Sequence, residues 1–140
     1  MFRWGLCVVC LLAQPACQSA PPPAHPQRWA KAWINALNSH RGEQAFPLLR
    51  DTGTYEDPVI VKPISGVPLR ILLTARWRQY PKMHYVLGHV SGDAQTVVAE
   101  WTAAGLSREP SDTLAGVFVL RVRDDTLTSV RAYYNAAEVR

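Results

Sequence analysis

The sequence predicts an α+β fold, in which a cone-shaped, curved antiparallel sheet of four long strands and a short one carries three N-terminal helices over one face. Up to about Gln79, apolar residues recur at three- and four-residue spacing, which is the period of a helix. From Lys82 onward the period changes to two, the pattern of half-buried strands. Helices followed by a meander of strands favour this fold class, and 140 residues hold one domain.

Three helices are predicted in the first half of the chain. The first covers about Gln27–Ser39, where one apolar stripe is formed by Trp29, Trp33 and Leu37. The second covers Gly42–Arg50 and tolerates Pro47 only because it is so short. The third covers Leu69–Gln79 and ends before Pro81, since a residue that precedes proline disfavours the helical conformation.

The strands follow from alternation and from their turns. A brief strand at Gly53–Asp57 is stopped by Pro58, between the second and third helices. The four long strands begin after Lys82, and two tight turns separate hairpin partners, at Ser91–Asp93 and at Asp124–Thr126. The sheet is therefore expected to be a meander, with a hollow between it and the helices where a small ligand could bind.

Residues 1–17 have the composition of a secretory signal, with a basic start, an apolar stretch and a small-residue end. Leu11–Cys17 resembles the lipobox of bacterial lipoproteins, which predicts lipidation at Cys17, although Gln14 stands where an aliphatic residue is usual. Ordinary cleavage near Ser19 or Ala20 is the alternative. Either outcome places the protein outside the cytoplasm, with residues 18–26 as a proline-rich tether and residues 27–140 as the domain.

Composition excludes several classes of function. All three cysteines lie within residues 1–17, so the domain has no disulfide and no cysteine-ligated metal, and its histidines lack the spacing of a metal site. No cofactor is expected. The net charge of +4 comes from scattered basic residues, which excludes nucleic acid as a partner, and Arg76–Arg78 is assigned to a solvated helix face. Membrane contact is expected through the lipid anchor alone.

Three short motifs carry a resemblance to a known family. They are Tyr55-Glu56-Asp57-Pro58 after two helices, Ala99-Glu100-Trp101, and Ala132-Tyr133-Tyr134 at the end of the last strand. Together with the order of elements, they resemble the nuclear transport factor 2-like superfamily, and within it the SnoaL-like polyketide cyclases and the ketosteroid isomerases. The resemblance covers about Gln27–Glu138. It implies a conical fold with an internal pocket, in a superfamily that contains both enzymes and binding proteins.

The resemblance implies catalytic candidates as well. In ketosteroid isomerases the acid of the Glu-Asp-Pro turn is the base, and here that position is Asp57; the other interpretation is a turn residue that caps backbone amides. His84 would join Asp57 in a proton relay if its strand turned it inward. Trp33 and Phe118 occupy the positions of the isomerases' oxyanion donors, and Phe118 donates no hydrogen bond, which argues against steroid isomerisation.

The resemblance to the superfamily also implies that one set of side chains points toward the cavity. The ligand-binding candidates are Trp33, Val97, Ala99, Trp101, Phe118, Leu120 and Tyr134. Their apolar and aromatic character suits a small hydrophobic molecule, whereas in so small a domain the same residues could instead fill the core. If Asp57 borders a pocket with aromatic walls, desolvation is expected to raise its pKa.

Three classes of function remain open at this point. The first is an extracytoplasmic protein that binds a small hydrophobic molecule without converting it. The second is a cofactor-free isomerase, cyclase or hydratase that uses Asp57 as a general base. The third is an interaction module that forms a homodimer through the exposed face of the sheet. The missing oxyanion donors favour the first over the second.

Overall fold

The computed structural model describes residues 26–106 and 113–139. The signal segment, Cys17 and the tether up to residue 25 lie outside the described residues, so the structure does not test them. Within the described ranges, no helix is both long enough and apolar enough to cross a membrane.

Three helices precede the meander, as predicted, with shifted boundaries. Helix α1 spans Pro26–Asn38, α2 spans only Gly42–Ala45, and α3 spans Gly66–Gln79. Helix α2 is shorter than predicted because Pro47 lies in a 3₁₀ turn at Phe46–Leu48, after which the chain becomes extended. Helix α3 begins three residues earlier than predicted, because Pro68 fits the first turn of a helix.

Five strands form one open, curved sheet. They are β1 (Leu49–Glu56), β2 (His84–Gly92), β3 (Thr96–Ala104), β4 (Thr113–Arg123) and β5 (Thr126–Tyr134). Their order in the sheet is β1-β5-β4-β3-β2. The last four strands are antiparallel neighbours, as predicted. Strand β1 differs from the prediction, because it starts at Leu49 and pairs in parallel with β5.

The turn between β4 and β5 ties three parts of the fold together. Asp124 and Asp125 have φ values of 51° and 53°, the left-handed conformation that a two-residue hairpin turn requires. Their carboxylates form exposed ion pairs with Arg50 of β1 at 2.9 Å and with Arg28 of α1 at 3.1 Å. The starts of α1 and β1 therefore meet this end of the sheet.

The core lies between the helices and the inner face of the sheet. Helix α1 contributes its predicted stripe, and α3 contributes Leu69, Leu73 and Trp77. The inner positions of β3, β4 and β5 include Val97, Trp101, Phe118, Leu120 and Val130, all at most 3% exposed. The alternation expected for these strands is confirmed. Among the residues that the structure describes, every buried core residue lies between Trp29 and Ala132.

Candidate functional site

Asp57 follows the last residue of β1 and lies under the helical layer, with its side chain fully buried. Its Oδ1 accepts a hydrogen bond from the hydroxyl of Tyr134 at 2.5 Å and one from the amide of Val59 at 3.0 Å. Its Oδ2 accepts from the hydroxyl of Tyr55 at 2.9 Å and from Nη1 of Arg76 at 2.9 Å. Both carboxylate oxygens are thus engaged by two donors each.

Arg76 lies on the inner side of α3, although the sequence suggested a solvated helix face. Its side chain is only 12% exposed, and the Asp57 carboxylate neutralises it. The helical period explains the placement, because position 76 is in phase with the buried Leu69 and Leu73. The exposed assignment of Arg76 was therefore wrong, since a buried ion pair outweighed the usual preference of arginine for water.

Strand β2 turns Tyr85 inward and His84 outward. Tyr85 is 5% exposed and faces the Arg76 guanidinium, whereas His84 is exposed on the opposite face. The inward placement predicted for His84 was wrong, because the strand buries the larger aromatic neighbour and a change of one residue reverses the face. We call Tyr55, Asp57, Arg76, Tyr85 and Tyr134 the Asp57 cluster.

The electrostatics of the Asp57 cluster differ from the expectation. Burial alone raises the pKa of Asp57, but the hydrogen bond and the positive charge of Arg76 act against it. Hydrogen bonds from Tyr134 and the amide of Val59 lower it further, so that the pKa of Asp57 lies below its ordinary value. The predicted rise in its pKa was wrong, because desolvation was considered without the buried cation.

The tyrosines of the cluster stay protonated at neutral pH. Burial raises the pKa of Tyr85 to about 12, and it raises the pKa values of Tyr55 and Tyr134 as well. Asp57 is negative and Arg76 is positive, so the cluster carries no net charge. It contains no free base at neutral pH, and its hydroxyl groups act as hydrogen-bond donors to the carboxylate.

Aromatic rings surround the cluster on the inner face of the sheet. The ring of Trp101 stacks on Phe118 with a centroid distance of 5.2 Å, and it meets Tyr85 edge-on at 5.2 Å and Tyr134 at 5.9 Å. Trp33 meets Phe118 edge-on at 6.4 Å. These contacts bring together the aromatic residues that the sequence assigned to a ligand pocket.

The predicted pocket residues are packed as a core. Trp33, Val97, Ala99, Trp101, Phe118 and Leu120 are each at most 3% exposed. Of the residues predicted to bind ligand, Tyr134 alone is partly exposed. Their inward direction is confirmed, and within the described ranges they are closely packed, with a cavity of about 20 Å³ beside Trp33.

Two of these core residues carry an unsatisfied donor. The indole Nε1 atoms of Trp33 and Trp101 are buried and have no hydrogen-bond partner among the described residues, as is also true of Trp29 and Trp77. A buried donor without a partner costs about 1–3 kcal/mol. Each of these indoles therefore carries that cost within the described structure.

A surface groove adjoins Asp57. Its volume is about 310 Å³, and it lies between the loop of residues 57–63 and strand β5. Its lining is mainly apolar, with Pro58, Ile60, Val61, Pro63, Ala132 and Tyr133. The lining also includes Glu56 and Arg131, which form an ion pair at 2.7 Å, and the exposed Lys62. The groove has the size and the surface of a site for a small molecule.

No group of three histidine, cysteine, aspartate or glutamate residues converges as a metal site within residues 26–106 and 113–139. The Asp57 cluster contains a single carboxylate, and Arg76 occupies one side of it. A cation would have to displace that guanidinium.

Comparison with known proteins identifies the family. The model of the SnoaL-like domain matches residues 30–130. The chain belongs to the SnoaL-like domain family. No curated protein matches the chain. The fold and the resemblance inferred from the three sequence motifs are thus confirmed.

Solved structures share this fold at low sequence identity. An NTF2-like protein from Anabaena variabilis has a TM-score of 0.68 at 17% identity, over 81% of this chain and 88% of the other. A protein with a ketosteroid isomerase-like fold from Catenulispora acidiphila, in complex with trimethylamine, has a TM-score of 0.68 at 22% identity, over 79% and 88%. An LEH-like epoxide hydrolase of M. tuberculosis has a TM-score of 0.64 at 22% identity, over 85% and 89%. At these identities the likeness shows the fold alone.

Sequence reasoning missed three members of the SnoaL-like protein's Asp57 cluster. Tyr55 lies two positions before Asp57 and so shares its side of the strand, which alternation alone indicates. Arg76 is in phase with the buried stripe of α3. Tyr85 lies two residues after the buried Met83, so strand alternation places both side chains on the inner face.

Proposed function

We propose that this SnoaL-like protein binds a small, uncharged and mainly apolar molecule outside the cytoplasm, without converting it. The observation that carries the proposal is the state of Asp57. Its carboxylate accepts four hydrogen bonds, one of them from a cation, and its pKa is lowered. A general base needs a lone pair directed at the substrate and a pKa near the working pH, and Asp57 has neither.

The charges around the groove support an uncharged ligand. Glu56 lines the groove and is ion-paired with Arg131, and the buried carboxylate of Asp57 beside it is ion-paired with Arg76. The remaining charged lining residue, Lys62, is exposed to solvent. The apolar lining would supply the binding free energy.

Binding can be tested with N-phenyl-1-naphthylamine, an uncharged fluorescent probe. We expect saturable binding to one site and weaker binding after Val61→Asn, since Val61 is fully exposed at the groove and is not needed for folding. The matched control is Val86→Asn on β2, outside the groove, where the side chain is 57% exposed. Equal loss in both variants, or no saturable binding, would overturn the proposed groove.

A natural ligand can be sought by native mass spectrometry of the protein isolated from its own host. We expect a retained mass that organic solvent removes. A bare protein mass, together with no binding of the fluorescent probe, would contradict a binding function.

The catalytic alternative uses Asp57 as a base for isomerisation, cyclisation or hydration. It requires the carboxylate to leave the Arg76 guanidinium, and the buried cation would then have no partner. Any turnover found with a candidate substrate is tested by Asp57→Asn in folded protein. Loss of turnover with retained binding would replace the binding proposal with the enzymatic one.

Location and anchoring are part of the proposal. The signal-like composition of residues 1–17 and the lipobox resemblance at Leu11–Cys17 support export and lipidation of Cys17. Intact-mass measurement on membrane fractions should show a diacylglycerol-modified N-terminus. A soluble product that starts near Ala20 or Pro21 would contradict lipidation and leave export intact.

Homodimerisation through the outer face of the sheet is supported by an apolar group of side chains. Val98 lies opposite Val119, and Val117 lies opposite Tyr133, on the side away from the helices. Tyr133 is 48% exposed there. Sedimentation velocity should show a dimer that Val119→Glu dissociates, because a charge at the centre of an apolar contact is costly. A monomeric wild-type protein at tens of micromolar would contradict it.

A further inference from the structure

One face of α3 points into solvent with an unusual composition. It carries Val67, Arg70, Ile71, Thr74, Ala75 and Arg78, which lie within one arc of the helix at its period of 3.6 residues. We call this set the α3 outer face. Val67 and Ile71 are one turn apart, and they are 66% and 65% exposed.

Core packing does not explain this face. The opposite side of α3 packs Leu69, Leu73 and Trp77 into the core and buries Arg76 against Asp57. The helix therefore departs from the ordinary pattern of a surface helix at three positions, since it buries one cation and exposes a valine and an isoleucine. Exposed aliphatic residues one turn apart, with cations beside them, fit the boundary between the headgroups and the acyl chains of a membrane.

Helix α3 carries charges of one sign, whereas Glu43 and Asp51 of neighbouring segments line a hollow together with Arg70. Residues 58–92 contain no aspartate or glutamate, and α3 itself contains no acid. Arg70 and Arg78 are exposed, and neither has an ion-pair partner among the described residues. The guanidinium of Arg70 lies 5.0 Å from the ring centre of Phe46, which holds it beside the helix without neutralising it. The complementary surface is anionic.

The N-terminal segment limits how far the domain can lie from a bilayer. Eight residues, 18–25, separate the predicted lipidated Cys17 from the start of α1 at Pro26. Fully extended, they span at most about 30 Å. A domain on so short a tether samples the membrane surface at high local concentration, so a weak contact is enough to orient it.

We propose that the α3 outer face docks on the surface of an anionic lipid bilayer. Val67 and Ile71 enter the boundary between headgroups and acyl chains, and Arg70 and Arg78 contact lipid phosphates. This inference rests on one part of the proposed function, the lipid anchor at Cys17 that keeps the domain close to a membrane. The docking surface itself consists only of α3 residues and is separate from the groove at Val61.

The test uses an unlipidated chain that starts at Ser19, which retains all the core residues of the described ranges, and circular dichroism verifies its fold. Co-sedimentation is measured with vesicles of phosphatidylcholine alone and with vesicles that also contain about 30 mol% phosphatidylglycerol. We expect binding to the anionic vesicles that weakens with added NaCl, because surface charge attraction is screened. Binding to the neutral vesicles should be much weaker.

Two double variants and one control variant test whether the α3 outer face itself contacts the vesicles. Arg70→Gln with Arg78→Gln should lower partitioning roughly 25-fold, about fivefold for each charge. Val67→Ser with Ile71→Ser should lower it as well, and should also abolish residual binding at high salt. The matched control, Lys31→Gln with Arg123→Gln, removes two exposed cations from α1 and β4 and should leave partitioning within about twofold of the wild type.

Several outcomes would overturn the proposal. They are equal binding to both kinds of vesicle, an equal loss in the control variant, and a dimer that Ile71→Ser dissociates, which would make a second copy the occupant of this face. Because the chain used is unlipidated, the result does not depend on whether Cys17 is modified. Failure of lipidation or of ligand binding is detected separately, by intact mass and by the fluorescent probe.

Discussion

The hydroxyl of Tyr134 and the carboxylate of Asp57 are 2.5 Å apart, although 77 positions separate the two residues in the chain. Tyr134 is the last residue of β5, and Asp57 follows the last residue of β1, so the parallel pairing of these strands brings them together. Arg76 reaches the same carboxylate from α3. One buried charge thus connects the C-terminal ends of β1 and β5 to the helical layer.

The first prediction concerns the charge of Asp57. Asp57→Asn leaves Arg76 buried without a counter-charge and should lower the free energy of unfolding by about 3 kcal/mol or more. Urea unfolding followed by tryptophan fluorescence measures the change. The control is Asp51→Asn on β1, where the side chain is exposed, and it should change the free energy by less than about 0.5 kcal/mol. Equal effects would mean that the ion pair contributes nothing to stability.

The second prediction concerns acid. Because the pKa of Asp57 is lower in the folded protein than in the unfolded chain, its stabilising contribution is complete above the unfolded value of about 4. It is lost as the pH falls below that value toward the folded pKa. The difference in unfolding free energy between the wild type and Asp57→Asn should therefore be constant from about pH 5 to 7, and should shrink below about pH 4. A difference that already shrinks between pH 7 and 5 would indicate a raised pKa instead.

The third prediction concerns Tyr134. Tyr134→Phe removes a hydroxyl that donates to a carboxylate and should cost about 1.5–3 kcal/mol of unfolding free energy. It should also raise the pKa of Asp57, which would move the acid-induced loss of stability to higher pH. Tyr133→Phe is the matched control, since that hydroxyl is exposed and, among the described residues, accepts only from Arg131, at 3.3 Å. A Tyr134 variant as stable as this control would show that the short contact is not formed in solution.

The fourth prediction concerns Trp101. The ring is 3% exposed and stacks on Phe118, so Trp101→Ala should lower the unfolding free energy by about 3–5 kcal/mol. A loss well below that range would mean that Trp101 borders open space. The control is Tyr133→Ala, which removes a large ring from the opposite face of the sheet and should cost much less.

The long strands and their inner residues could be predicted because alternation over eight or more residues is a strong signal. It assigned Val97, Trp101 and Phe118 to the inner face correctly. The start of β1 at Leu49 could not be predicted, because the helix-like composition before Pro47 hid the transition. Its parallel pairing depends on contacts distant in sequence, which no local pattern contains.

The Asp57 cluster was predicted only in part, for a physical reason. Asp57 and Tyr134 belong to recognisable motifs, whereas Arg76 resembles any arginine of a surface helix until the partner that permits its burial is known. His84 was a candidate because histidine suggests chemistry, but burial in a strand follows the larger apolar surface, and β2 buries Tyr85. Which opposite charges pair in the core depends on contacts between distant segments, so the local sequence indicates such pairs only weakly.

The parallel pairing of β1 with β5 also determines when the Asp57 cluster can exist. During synthesis the helical part of the domain emerges first, and it contains Asp57 and Arg76 but lacks the strand that completes their surroundings. Tyr134 emerges only after all the elements from α1 to β4, and loop closure between such distant segments is slow. Until β5 has formed against β1, nothing covers the Asp57–Arg76 pair from that side. Formation of the cluster therefore reports completion of the whole fold.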